Sequence, residues 1–259
     1  MALFTDAAVL TLEDLVPFEV SLGQVASLHG INVDNKISLA LSAIGDKLLL
    51  WLLNSGASDP QWVSRRVLGL STVVMTPALQ RWAIFESLAR VFEEAYDVQL
   101  NTRYQGKLTE YQGEAKRASE LFFLAGVTLV YNSLPRPAMP LVALQSGIIP
   151  PQAIFIQTSW VNTNGDESAL SINAEAVLPD YSSLAVAMAE GALGAPAAAI
   201  GWNVYAGSEV GSLTKQNLLP LAIGSTWAIP ASGLVAGPPP AGGQAPAFYV
   251  TLSRQIRRG

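Results

Sequence analysis

The stretch LPRPAMPLVALQSGIIPP, residues 134–151, divides the sequence into two parts of different composition. Its five prolines rule out a continuous helix across it. Of the 15 Lys and Arg residues in the chain, those beyond this stretch are Lys215, Arg254, Arg257 and Arg258. We therefore predict a helical domain over residues 1–134, a proline-rich linker over 135–151 and a second domain over 152–259.

The overall composition limits the classes of function. At 259 residues the chain is long enough for one or two domains, and 50% hydrophobic residues with 14% charged ones favour packed cores over disorder. A net charge of −5 argues against a general nucleic-acid binder, which needs a basic surface. The chain has no cysteine, which excludes disulfides, thiolate nucleophiles and cysteine-ligated metals.

Three long helices are predicted in the first part. Apolar residues at spacings of three and four follow Asp34, which resembles an N-cap, and continue to about Leu53. A second helix starts at Thr76-Pro77 and runs to about Leu100, and a third covers Leu108 to Tyr131. A shorter helix is expected around residues 11–16, residues 21–32 fit either a short helix or a loop, and residues 67–75 fit either a strand or a loop.

The second part has the pattern of an antiparallel β-sandwich, with short apolar segments between turn signals. Asn164-Gly165 is a typical hairpin turn. Strands are expected at residues 153–161, 168–177, 182–189, 199–206, 218–223 and 246–255. The predicted fold class is thus α+β with two domains, an N-terminal bundle of long α-helices and a C-terminal antiparallel β-sandwich.

No residue in the sequence is a strong candidate for catalysis or metal binding. His29 is the only histidine, and no motif of a Ser-His-Asp relay surrounds it. Glu93, Glu94 and Asp97 are expected on the solvated face of the second long helix. The loop Asn162–Glu167 is acidic but lacks the ligand spacing of an EF-hand. We predict no catalytic residue, no cofactor and no metal.

Two possible contact sites remain. Trp227 is flanked by turn residues, so we expect it to be exposed, where its indole could stack on a sugar ring or contact a partner. Arg254, Arg257 and Arg258 concentrate positive charge near the C-terminus and form a possible docking tail.

The second part resembles a fibronectin type III or immunoglobulin-like domain. The similarity rests on four segments: Thr158–Asn162, Gly165–Ser168, Gly201–Gly207 and Ala245–Val250. An obvious tyrosine corner is missing. The resemblance covers roughly residues 150–256 and implies a sandwich that often serves as a surface decoration or binding module.

The first part resembles the helical head–tail connector (adaptor) proteins of tailed phages and prophages. The features that match are the helix from Asp34 to Leu53, the Thr76-Pro77 helix with Arg81, Trp82 and Phe85, and the helix through Tyr111–Tyr131. The resemblance implies a structural virion protein that forms a homo-oligomeric ring, commonly a dodecamer, below the portal protein. A neck or tail-completion protein would bind the other side, and DNA would pass through the lumen without sequence-specific binding.

Localisation and the rival functions follow from the same observations. The longest strongly apolar run, Leu48–Leu53, is far shorter than the ~20 residues of a membrane helix, and residues 1–13 lack the pattern of a signal peptide. We expect synthesis in the host cytoplasm, no membrane association and a final place in the virion neck. The alternative is a phage or cell-surface protein that binds glycans or a receptor through the sandwich, and an enzyme based on His29 is a third, remote option.

Overall fold

The computed structural model describes residues 1–7, 9–54, 69–99 and 102–251. The chain forms two compact units, and neither is one continuous segment. The helical unit consists of Ala8–Leu129 and Pro246–Gly259, and the sheet unit consists of Met1–Ala7 and Val130–Ala245. The predicted domains of 1–134 and 152–259 differ from this division at both termini of the chain.

Five α-helices lie in the described part of the helical unit. They are α1 (Leu12–Leu15), α2 (Leu22–His29), α3 (Val33–Asn54), α4 (Pro77–Gln99) and α5 (Gln105–Ala125). The start of α4 is confirmed, because the Thr76 hydroxyl accepts a hydrogen bond from the Leu79 N–H at 3.4 Å. The N-cap of α3 is Asn32 rather than Asp34, since the Asn32 side chain accepts the Asn35 N–H at 3.0 Å.

The core of the helical unit is aromatic. The predicted apolar stripe of α4 is buried from Leu79 through Phe92. Trp82 is fully buried and its ring lies 5.9 Å from that of Phe122 in α5. Tyr111 of α5 lies 5.4 Å from Phe92. Burial of such large rings is the main favourable term for packing α3 and α5 against α4.

The third long helix ends earlier than predicted. Helix α5 stops at Ala125, and residues Val127–Leu129 form a strand, β1, rather than continuing the helix to Tyr131. Gly126 lies between them with φ of 102°, a backbone conformation that other residues rarely adopt. A Cβ there would lie 2.9 Å from Thr251 Cγ2. The β-branched Val127 and Thr128 then favour the extended conformation.

The C-terminal strand of the chain returns to the helical unit. Strand β9 (Phe248–Val250) pairs antiparallel with β1, with Thr128 opposite Tyr249. The prediction that residues 246–255 complete the second domain is therefore wrong for the described part of this segment. Three residues of β1 need a partner strand for their backbone groups, and β9 supplies it.

The sheet unit contains two antiparallel sheets. The three-stranded sheet has the order β2-β5-β8, and the four-stranded sheet has the order β4-β3-β6-β7. The strands are β2 (Leu141–Ile149), β3 (Gln152–Asn162), β4 (Ala174–Leu178), β5 (Ser182–Ala187), β6 (Ala199–Gly207), β7 (Thr214–Lys215) and β8 (Thr226–Ala228). Side chains of both sheets form one buried cluster, in which Trp160 and Trp202 are the largest fully buried members.

The segment predicted as a linker is part of this unit. Residues 141–149 form β2, which pairs with β5 from Leu141 opposite Ala187 to Ser146 opposite Ser182. The register then shifts at Gly147, where a Cβ would lie 2.5 Å from Ser183 Cβ. The prolines exclude a helix, as expected, but the apolar residues between them are free to form a strand.

The termini of the sheet unit are tied by a few polar contacts. The Asp6 carboxylate accepts the Arg136 N–H at 2.8 Å and the Leu3 N–H at 2.7 Å. Gln244 Oε1 accepts the Leu134 N–H at 2.7 Å. Residues 1–7 therefore belong to the sheet unit although they precede the helices in the sequence.

The predicted strands differ in accuracy. Strands at 153–161, 182–189 and 199–206 are confirmed within a few residues as β3, β5 and β6. Residues 168–177 follow β3, but a regular strand begins only at Ala174. The segment 218–223 forms only an isolated bridge, Leu221 opposite Trp202, and the short strands β7 and β8 flank it.

Helix α3 has the length and apolar composition that a membrane span requires, which the sequence analysis did not anticipate. Its buried side chains include Ile37, Ile44 and Leu48, and Lys36 forms an ion pair with Glu94 of α4. Core helices meet the same criteria of length and composition, so this finding is weak support for a membrane span.

Candidate functional site

Trp227 is buried, so the prediction that it is exposed is wrong. It lies in β8 opposite Val186 of β5, and only 7% of its surface is exposed. This register directs the indole into the buried cluster that contains Trp160 and Trp202. The flanking turn residues suggested a loop, but three residues of β8 are enough to direct the side chain inward. A buried indole offers no face to a sugar ring.

The other residues singled out in the sequence have ordinary surroundings. His29 lies at the end of α2, where Nε2 is 3.0 Å from the Tyr104 hydroxyl. Glu93 and Asp97 are exposed on α4, and the nearby Glu94 pairs with Lys36. Arg254, Arg257 and Arg258 lie outside the described residues. Within the described ranges, no group of three His, Asp or Glu side chains could hold a metal ion.

The acidic loop at residues 162–167 forms the expected turn. Asn162 Oδ1 accepts the N–H groups of Asn164 and Asp166, and Gly165 has φ of 82°. Val161 forms a bridge with Glu167, so the chain reverses direction at this point. The last residue of the loop, Glu167, turns its side chain inward.

Glu167 is the centre of a buried polar cluster in the sheet unit. Its Oε2 accepts the hydroxyls of Ser159 at 2.7 Å and Tyr205 at 2.6 Å. Its Oε1 accepts the Asn203 amide at 2.8 Å and the Lys215 ammonium at 3.5 Å. We call Ser159, Glu167, Asn203, Tyr205 and Lys215 the Glu167 cluster.

The four-stranded sheet determines how this cluster is assembled. Glu167 follows the turn after β3, Ser159 lies in β3, and Asn203 and Tyr205 lie two residues apart in β6 on one face. Lys215 of β7 lies opposite Tyr205. The cluster therefore joins three neighbouring strands on the side of the sheet that faces away from Trp160 and Trp202.

The cluster is largely shielded from solvent. Ser159 and Asn203 are fully buried, while the side chains of Glu167 and Lys215 are 13% and 19% exposed. Burial raises the pKa of Tyr205, and its hydrogen bond to Glu167 raises it further, so the tyrosine is a neutral donor. With all four neighbours donating, the carboxylate charge is compensated inside the unit.

The helical unit has a similar carboxylate, Glu19. Its Oε1 accepts the Ser21 hydroxyl at 2.6 Å, and its Oε2 accepts the Tyr111 hydroxyl at 2.7 Å and the Lys107 ammonium at 3.1 Å. We call these four residues the Glu19 cluster. It differs from the Glu167 cluster in having no side-chain amide bound to its carboxylate among the described residues.

Titration of the Glu19 cluster reflects these contacts. Burial alone would raise the pKa of Glu19, but the hydrogen bonds from Ser21, Tyr111 and Lys107 outweigh it and lower that pKa to about 2. Burial and the bond to Glu19 raise the pKa of Tyr111 to about 12. The bond to Glu19 also raises the pKa of Lys107.

A groove of about 430 Å³ lies between α3, α4 and α5. It is lined by charges of both signs, and Glu86 pairs there with Arg90 at 3.2 Å and with Lys47 at 4.0 Å. Because these charges compensate one another, the groove favours neither an anionic nor a cationic ligand.

Exposed leucines cluster at one end of the helical unit. Leu50 of α3 and Leu124 of α5 are 60% and 65% exposed. The ends of the two helices meet where Trp51 stacks on Phe123 at 5.7 Å, so these leucines lie at the same end of the unit. We call this surface the leucine end; its other exposed members are Leu49, Leu53 and Leu121.

The sheet unit has an exposed edge as well. Strand β2 is at the edge of its sheet, has no charged residue, and exposes Leu141, Leu144 and Ile148. Edge strands usually carry charges or bulges that prevent further pairing. The bulge at Gly147 is the one such feature in β2.

Comparison with known proteins gave no match to any family model, any curated protein or any solved structure.

The sequence analysis missed the Glu167 cluster. It interpreted the loop that contains Glu167 as a turn and gave Lys215 no role. One signal was present, because Lys215 is the only Lys or Arg between Arg136 and Arg254. A lone lysine in a long apolar segment indicates a specific partner, since a buried ammonium needs one.

Proposed function

We propose that this chain is a structural virion component, an adaptor ring that joins the portal protein to the neck or tail. The observation that supports self-association most directly is the leucine end, where apolar side chains of α3 and α5 remain exposed. Exposed apolar patches of this kind are typical of interaction surfaces. Contacts between copies at such a surface are of the kind that a ring requires.

The two units fit different parts of this proposal. We infer that the long helices form the bundle that makes the ring, with DNA passing through its lumen. We infer that the sheet unit is a fibronectin type III or immunoglobulin-like sandwich that decorates the outside. Two antiparallel sheets with a shared buried core support the second inference. The exposed edge of β2 gives this unit a second surface for contacts.

The alternative of glycan recognition has lost its supporting observation. It depended on an exposed Trp227, and that indole lies in the core. We therefore keep the assembly function as the conclusion.

The test is the mass of the purified protein in solution, with negative-stain images of the same sample. We expect closed rings, and we expect Leu50→Lys combined with Leu124→Lys to shift the protein to monomers, because it places charges in an apolar contact. Leu28→Lys is the matched control, since Leu28 is 66% exposed on α2, away from the leucine end.

Adding portal protein and measuring its binding distinguishes functional assembly from simple aggregation. A wild-type protein that forms no rings alone and binds no portal would contradict the proposal. Rings that persist unchanged in the double lysine variant would contradict the role of the leucine end.

A further inference from the structure

The Glu167 cluster brings an amine and a carboxamide to the same oxygen atom. Lys215 Nζ and Asn203 Nδ2 both contact Oε1 of Glu167, at 3.5 and 2.8 Å. Lys215 lies opposite Tyr205 in the register of β6 and β7, and Asn203 is two residues before Tyr205. Lys215 and Asn203 are therefore diagonal neighbours on one face, a distance that a lysine side chain readily spans.

The carboxamide of Asn203 is held at both ends. Its Nδ2 donates to Glu167, and its Oδ1 accepts the Asn217 side-chain amide at 2.8 Å. Asn203 is fully buried, so bulk water does not reach this group. A carbonyl that accepts a fixed hydrogen bond is polarised toward attack, and the same donor stabilises the oxygen as it becomes negative.

We propose that Lys215 and Asn203 form an intramolecular amide bond, with Glu167 transferring the protons. Glu167 takes a proton from the Lys215 ammonium, and the free Nζ attacks Cγ of Asn203. The Nζ–Cγ bond forms, the Cγ–Nδ2 bond breaks, and Glu167 returns the proton to the leaving nitrogen, which departs as ammonia. Glu167 then takes the extra proton from Nζ and passes it to the ammonia, so the products are a secondary amide and one ammonium ion, Glu167 is again a carboxylate, and no oxidant or further reactant is needed.

Three features of the arrangement favour this reaction. The nucleophile, the electrophile and the proton carrier are held by the folded strands, which removes the entropy cost of bringing them together. The carboxylate contacts both nitrogens, so it can act first as base and then as acid. Burial of Asn203 excludes water, the competing nucleophile.

The bond would strengthen the edge of the four-stranded sheet that has the shorter strand. Strand β7 has only two residues and pairs with β6, and on its other side the Lys215 backbone N–H donates to the Pro238 carbonyl at 2.9 Å. A covalent link between β6 and β7 would hold this edge when its hydrogen bonds open. The inference concerns the sheet unit alone and stands whether or not the chain forms a ring.

The Glu19 cluster is an internal control for this chemistry. It has the same carboxylate, serine, tyrosine and lysine, but no carboxamide on its carboxylate among the described residues. We therefore expect Lys107 to keep its free amine while Lys215 loses it.

The experiment is intact mass spectrometry of the full chain under denaturing conditions, followed by peptide mapping. We expect wild-type protein to be lighter than its sequence by one ammonia, with a branched peptide that joins Lys215 to Asn203. Lys215→Arg and Glu167→Gln should have the full sequence mass, and Lys107→Arg should still show the loss. Circular dichroism of each variant confirms that it is folded.

Two outcomes would overturn the inference. One is wild-type protein with the full sequence mass. The other is an ammonia loss that persists in Lys215→Arg, because Asn164-Gly165 can also lose ammonia by closing a succinimide ring, and the mapped site would then be Asn164.

Discussion

The Glu19 and Glu167 clusters use the same four residue types in two different settings. In each, a glutamate accepts a serine hydroxyl, a tyrosine hydroxyl and a lysine ammonium. The two glutamates are similarly buried, with side chains 10% and 13% exposed, but the lysines differ, since Lys107 is 45% exposed and Lys215 is 19% exposed. Because the residue types are the same, any difference in stability between the two clusters must come from their surroundings.

Two differences follow from the architecture. Glu19 finds Ser21 two residues away, so part of its cluster is local, whereas Glu167 depends on neighbours from β3, β6 and β7. Among the described residues, only the sheet unit places a carboxamide beside the lysine of its cluster. The lower exposure of Lys215 and Ser159 makes the Glu167 cluster more sensitive to the loss of one member, because water cannot replace the missing partner of these two groups.

The largest difference should appear when each carboxylate is removed. Glu167→Ala leaves four donors without their acceptor, including a lysine that is 19% exposed. We expect it to lower the free energy of unfolding by about 3–5 kcal/mol. Glu19→Ala should cost about 1–3 kcal/mol, because Lys107 can turn to solvent. Urea denaturation of both variants and the wild type measures the two values.

Equal costs for the two variants would show that the exposure of the lysine partner does not distinguish the clusters. Glu167→Gln is the matched control, since it keeps the volume and one acceptor oxygen but removes the charge. It should fall between the wild type and Glu167→Ala.

The two serines give a smaller and more local test. Ser159 is fully buried and Ser21 is exposed. We expect Ser159→Ala to lower the free energy of unfolding by about 1–3 kcal/mol and Ser21→Ala by about 0.5 kcal/mol or less. Thermal unfolding of the two variants in parallel measures this difference, and a reversed order would contradict the comparison.

The smallest expected effect is the loss of stability at acid pH that results from protonation of Glu19. The pKa of Glu19 is lowered from 4.5 to about 2 in the folded chain, so its contribution is fully present above pH 4.5 and is lost as the pH falls toward 2. Solvent screening at Lys107 limits this contribution to about 1 kcal/mol. The stability difference between wild type and Glu19→Gln should therefore shrink over this range, as followed by urea denaturation at successive pH values.

A difference that stays constant down to pH 2 would mean that Glu19 is protonated outside this range. Tyr111→Phe should behave like a partial Glu19→Gln, because it removes one of the hydrogen bonds that lower the pKa of Glu19.

The local signals in the sequence were sufficient for the helices and for part of the sheets. Thr76-Pro77 predicted the start of α4, and short apolar segments between turn signals predicted β3, β5 and β6. The same signals did not predict the shortest strands. Strands β7, β8 and β1 have two or three residues each, too few for a pattern to be recognised, and their positions depend on partner strands.

The Glu167 cluster could not be predicted from the sequence. Glu167 is 36 residues from Asn203 and 48 from Lys215, so no motif of fixed spacing connects them. The prediction that Trp227 is exposed was wrong for a related reason, because its exposure depends on the pairing of β8 with β5.

The sequence by itself determined the local structure of this protein: the helical first half, the strands of the second half and the break in character near residues 134–151. Only the tertiary structure decided which segments belong to the same unit, because this grouping depends on how distant strands pair. Strand pairing places β9 in the helical unit, buries Trp227, and brings Lys215 and Asn203 to one carboxylate. Propensities and caps act over a few residues, whereas burial and strand pairing act between residues that the chain brings together only when it folds.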